Sequence, residues 1–170
     1  MRPPPTRLFL ILLRKQVTDT PDQPDSPETP ESPESPKSMR PHGTERSLEL
    51  ATAAAKVALD NRGQDVTVLD VCKQTALFDY FVIATGTSRR QLHAISEEID
   101  DVLEKQLNDQ RLGIEGYDES RWIVLDYGNV VIHLFDEETR SYYDLESLWA
   151  DATPVPLAEL GLHDPSQEGE

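Results

Sequence analysis

The chain has 170 residues, which leaves room for one ordinary domain. It carries 16 lysine and arginine against 32 aspartate and glutamate, a net charge of −16. Phosphate backbones therefore repel it, which excludes direct, general nucleic-acid binding as its main activity and leaves a basic protein as a suitable partner.

Cys72 is the only cysteine, so neither an internal disulfide framework nor a multi-cysteine metal site is available, and a reducing, cytoplasmic setting is expected. No apolar run approaches the roughly 18 residues needed to cross a bilayer, so no membrane role is expected. Leu8 to Leu13, LFLILL, follows Arg2 and Arg7 as a signal peptide would. It is shorter than the usual apolar region of about 7–15 residues and runs straight into Arg14 and Lys15, so secretion is not expected.

Residues 18–37, TDTPDQPDSPETPESPESPK, hold proline, acid and serine with no other apolar side chain. Nothing there offsets the entropy of ordering, and disorder is predicted. Met39 follows directly and reads as an alternative start, with residues 1–38 as an over-extended frame; the other reading is a genuine, dispensable leader. The expected boundaries are a leader over 1–43, a folded domain over 44–150 and a mobile acidic tail over 151–170.

In chain order, SLELATAAAKVALD (47–60) places Leu48, Ala51, Ala55, Ala58 and Leu59 on one helical face, with Gly63 as the stop. VTVLDV (66–71) and DYFVIATG (79–86) are β-branched and aromatic runs of strand length. Ser88 and Gln91 form a capping box opening a second amphipathic helix through Leu92, Ile95, Ile99, Val102 and Leu103 to about Asn108. A short strand is expected at Gly113 to Gly116, and RWIVLDYGNVVIHLF (121–135) reads as a hairpin turning at Tyr127-Gly128-Asn129. Asp144 is expected to cap a short helix, DLESLW. The pattern predicts a single α/β domain, a mixed sheet flanked by helices.

A two-residue turn puts Ile123, Leu125, Val130, Ile132 and Leu134 on one face of the hairpin, with Tyr127 at its edge, and that face reads as core. The opposite face carries Trp122, Val124, Asp126, Val131, His133 and Phe135, a mixture often partly exposed. Trp122 is the leading contact candidate because tryptophan is enriched at interface hot spots; the competing reading packs it beneath the second helix. His133 is either a structural histidine or, with Asp126, part of an acid–base or metal site.

Gly86-Thr87-Ser88 ends a strand and opens a helix, where a phosphate could be held, but a tight turn with an N-cap explains it equally. The arrangement resembles the opening of the nucleotidyltransferase fold. Its paired metal-binding aspartates are replaced here by Arg89-Arg90-Gln91, which removes the means for metal-assisted phosphoryl transfer. No catalytic, cofactor or metal site is expected. The adjacent acids Asp136-Glu137-Glu138 read as a solvated face or turn.

Taken together, DYFVIATGTSRRQLHAISEEID (79–100), RWIVLDYGNVVIHLF (121–135) and YYDLESLW (142–149) resemble the ribosomal silencing factor family, also called Iojap-like or RsfS, over about residues 46–150. The resemblance implies a non-enzymatic protein that binds the large ribosomal subunit through ribosomal protein L-fourteen, blocks subunit joining and so represses translation. Mitochondrial and plastid relatives imply a role in ribosome assembly as the alternative, and a nucleotidyltransferase-like nucleotide binder is the rival of a different class. On matching positions the resemblance implies partner contacts by Trp122, Leu125, Asp126 and Tyr127, with Tyr143, Leu145 and Trp149 as further candidates. Leu125 is contested, since strand parity buries it. The edges of an open sheet and the aromatic ending also leave homodimerisation open.

Overall fold

The computed structural model describes residues 43–165. The proposed leader, Met39 and the last five residues of the tail lie outside the described residues. Helix α1 (Glu45–Asp60) opens on Thr44, whose side chain accepts the Ser47 amide, with Glu45 favourably placed in the first turn. Its end differs in detail from expectation: Arg62 takes the left-handed conformation (φ 60°), and Gly63 donates back to the Ala58 carbonyl at 2.7 Å.

Strands β1 (Gln64–Asp70) and β2 (Tyr80–Thr85) pair antiparallel. Helix α2 (Arg89–Asp100) is capped by Ser88, which accepts the Gln91 amide. The reciprocal bond of the capping box falls one residue early, on Thr87, whose amide donates to Gln91 Oε1 at 2.7 Å. The helix then widens into a π-helical turn, Asp101–Gln106, so the predicted amphipathic segment is continuous but not uniformly α-helical.

Strands β3 (Gly113–Glu115), β4 (Trp122–Asp126) and β5 (Val130–Phe135) follow. The hairpin has the expected parity, with Ile123 opposite Leu134 and Leu125 opposite Ile132. Helices α3 (Glu137–Tyr143) and α4 (Leu145–Leu148) are joined by Asp144 in the left-handed region, φ 43°. Asp144 makes no side-chain capping bond, contrary to the capping role expected of it. Strand β6 (Thr153–Val155) and a 3₁₀ turn at Leu157–Leu160 close the described chain.

The sheet order is β3-β4-β5-β2-β1-β6. β2 and β5 run parallel, and the other neighbours among the described strands are antiparallel. A mobile tail from residue 151 is not what the structure has. Thr153, Pro154 and Val155 pair with Asp70, Leu69 and Val68 of β1, and Val155, Leu157, Leu160 and Leu162 pack against the core. The reason is that these few apolar side chains cap an otherwise open sheet edge and gain burial there. Proline at the edge costs little, since an outer strand can forgo one donor.

Helices α1 and α2 cover one sheet face. Leu50, Ala54 and Ala58 from α1 and Leu92, Ile95 and Ile99 from α2 pack onto Val82, Ile123, Leu125 and Ile132. The opposite face is also buried: Phe81, Trp122, His133 and Phe135 lie beneath α3, α4 and the residues that follow them.

Candidate functional site

Of the residues expected to contact a partner, the hairpin supplies four. Leu125 is fully buried on the α1/α2 face, so parity, not exposure, describes it. Tyr127 is also buried there, and its hydroxyl donates to Asp100 Oδ1 at 2.6 Å. Arg111 binds the other oxygen of that carboxylate, which ties the hairpin to the end of α2. Burial, with Glu104 nearby, raises the Tyr127 phenol well above its ordinary value. Asp126 is half-buried and accepts the Gly128 amide at 2.8 Å, shaping the turn at Gly128, whose φ is 81°.

Trp122 is 4% exposed. The expectation that Trp122 and the Asp126-Tyr127 turn lie open to a partner is corrected for Trp122 and Tyr127. The second hairpin face is not solvated, because α3 and α4 form a layer over it. Trp122 stacks on Phe135 with centroids 4.7 Å apart and meets Tyr143 of α3 at 4.8 Å. Phe81 of β2 meets Trp149 at 4.9 Å and His133 at 5.1 Å, both edge-on. Leu145 and Trp149 are buried and Tyr143 is half-buried. The structure thus brings Trp122, Tyr143, Leu145 and Trp149 to one face and sends Leu125 and Tyr127 to the other.

His133 sits at the middle of this aromatic layer. The Trp122 indole N–H donates to His133 Nδ1 at 3.3 Å, while Nε2 has no hydrogen-bond partner. Complete burial pushes the imidazole down to about 3, so it is neutral, with its proton on Nε2. Asp126 stands opposite Val131, not His133, and the acid–base pair considered from the sequence does not form. No cluster of potential metal ligands occurs among the described residues.

The turn at Gly86-Thr87-Ser88 uses its donors internally. Thr87 gives both its amide and its hydroxyl to Gln91 Oε1, at 2.7 and 3.0 Å. A Cβ on Gly86 would lie 2.6 Å from Leu92 Cδ2. Glycine there serves the close seating of α2 on β2, which accounts for the motif without a phosphate.

The exposed apolar residues are elsewhere. Leu112, beside the Gly128 turn, is 63% exposed. The other three are Tyr142, 61%, Leu77, 47%, and Leu148, 41% exposed. Each adjoins the aromatic layer in sequence: Tyr142 precedes Tyr143, Leu77 precedes Phe78, which meets Phe81 at 5.7 Å, and Leu148 precedes Trp149. Tyr142 meets the Tyr143 ring edge-on at 5.0 Å, and these three exposed side chains are the apolar rim of the layer in sequence.

The family described as "Ribosomal silencing factor during starvation" matches residues 44–170. The chain belongs to this family. A ribosomal silencing factor RsfS of Bacillus subtilis is 42% identical over 113 residues, covering 66% of this chain and 90% of the relative. The mouse protein named "Mitochondrial assembly of ribosomal large subunit protein 1" is 41% identical over 88 residues, which is 51% of this chain and 39% of that protein. A crystal structure of a Chromobacterium violaceum protein superposes with a TM-score of 0.58 at 33% identity, covering 67% of this chain and 97% of that one.

Within this silencing-factor domain the family match runs on through β6, in step with the pairing of that strand to β1. Sequence reasoning missed the exposure of Tyr142 because it missed α3, and that of Leu148 and Leu77 because neighbouring residues do not encode what covers them. The available signal was Asp136, whose side chain accepts the Thr139 amide at 2.7 Å and caps the helix. Burial raises the Asp136 carboxyl, but bonds from Thr139 and Arg121 outweigh that and hold it below its ordinary value.

Proposed function

We propose that the chain is a ribosomal silencing factor that docks on the large ribosomal subunit through L-fourteen, covers a surface the small subunit needs, and so represses translation without catalysing a reaction. The observation that carries this reading is the rim of Tyr142, Leu148 and Leu77 around a buried aromatic layer, in a chain of net charge −16 from the silencing-factor family. Tyrosine is among the residues enriched at interface hot spots, and the negative charge favours a basic ribosomal protein. Occupancy alone would block joining, and a standard interface of about 1,600 Å² is sufficient.

The buried Trp122 supports this surface instead of forming it. Trp122→Ala would remove core packing worth about 3–5 kcal/mol and confound any binding result. The informative variant is the full chain carrying Tyr142→Ala and Leu148→Ala, both exposed in the wild type. Wild type is expected to cosediment with large subunits and reduce their joining to small subunits, and the double variant to lose both effects while staying folded. Wild type that leaves large subunits untouched at low salt would sink the reading.

A second reading, retention on immature large subunits as an assembly factor, is favoured by the name of the mouse relative. The same rim would serve both, and accumulation of the chain on precursor particles instead of mature subunits would select it.

A further inference from the structure

The rim depends on two helices that cannot hold their own shape. α3 has seven residues and α4 four, and α3 buries none of its side chains completely. Isolated helices of this length are unstable, so their arrangement comes from tertiary contacts.

One side chain joins most of those contacts. Arg140, 14% exposed, donates from Nε and Nη2 to Glu146 Oε1 on α4 at 2.9 and 2.5 Å. Its Nη1 donates to the Asp65 carbonyl at the start of β1 and to Thr85 Oγ1 at the end of β2, both at 2.8 Å. A single guanidinium thus fixes α3 to α4 and both to the sheet. The other tether, Arg121 to Asp136 and Glu138, lies among more exposed groups, where ion pairs contribute little.

We propose that Arg140 is the positioning residue of the docking surface: it sets α3 against α4 so that Tyr142 and Leu148 stand together on the rim, without itself touching the partner. This inference rests on the docking reading given above. The planar fork is essential, since its separate nitrogens reach acceptors on three elements, whereas a lysine ammonium holds all its donors on one atom.

The test uses the full chain with Arg140→Lys and, separately, Glu146→Gln. Binding to large subunits is measured across a salt series, and amide hydrogen exchange is followed at Trp149 and in α1 and β2. The Trp149 amide donates to Leu145 and Glu146 carbonyls and so reports on α4. If the competent arrangement falls to about one tenth of molecules, Arg140→Lys binds about tenfold more weakly. Trp149 exchange should then rise, with α1 and β2 protection and the salt slope unchanged; Glu146→Gln should show a smaller effect of the same sign.

Wild-type affinity in Arg140→Lys overturns the proposal, and a changed salt slope overturns it in favour of direct contact. If Arg140→Lys loses core protection, Glu146→Gln decides, and unaltered binding there is equally fatal. Wild type that does not bind sinks the docking reading instead, and Trp149 exchange then still decides whether Arg140 fixes α4.

Discussion

His133 illustrates how much a single buried polar residue can depend on its surroundings. Strand parity places it beside Trp122, and the rings of Phe81, Trp122 and Phe135 surround it in a buried layer that favours the neutral form. Its folded value is lowered to about 3 from an ordinary 6.5, so the unfolded chain binds the proton more readily. The contribution to stability is therefore complete above about pH 6.5 and is lost progressively as pH falls toward 3, at up to about 1.4 kcal/mol per pH unit. Urea midpoints at pH 7.5 and pH 5 should differ in the wild type by more than in His133→Phe, where this titration is gone. Equal differences in both proteins would show that the imidazole stays accessible to protons. At this scale the sequence exposed the partners of Leu125 and Ile123, because alternation along a strand is local, whereas Trp122 could be read either way until its cover was known.

Elements were legible where a strong periodicity ran for several turns or a strand was uniformly apolar. α1, α2, β2 and the hairpin are of that kind. α3 was not, since its seven residues carry no continuous apolar face and its acidic start reads as a solvated turn. Beyond the local Asp136 cap, its stability derives from the Tyr143 ring and the Arg140 clasp, which involve residues distant in sequence. The loop leading into β4 holds a sharper constraint. Gly116 has φ 74°, and a Cβ there would lie 1.9 Å from the Trp122 carbonyl oxygen. Both atoms are fixed by backbone, so no side-chain rotation relieves the contact. Gly116→Ala is expected to destabilise the domain by about 2 kcal/mol or more in urea unfolding. An unchanged midpoint would mean that the loop shifts freely and that Trp122 is not anchored by it.

For the whole molecule, charge is the property most directly read from composition. If the chain docks on a basic ribosomal protein as proposed, its net charge of −16 should make association slower as ionic strength rises. Stopped-flow association with isolated L-fourteen between low and physiological salt is expected to show a falling on-rate and a less affected off-rate. A salt-independent on-rate would remove electrostatic steering from the account. The family motifs, the order of helices and strands from α1 to β5 and the core face of the hairpin were determined by the sequence alone, because each is encoded by neighbouring residues and short-range geometry. The tertiary structure alone decided that Trp122 is buried, that the supposed tail pairs with the sheet through β6, and that Tyr142 and Leu148 are exposed. The reason is physical: exposure and edge pairing are properties of what another segment covers, and α3, α4 and β6 are each too short to announce that cover in their own sequence.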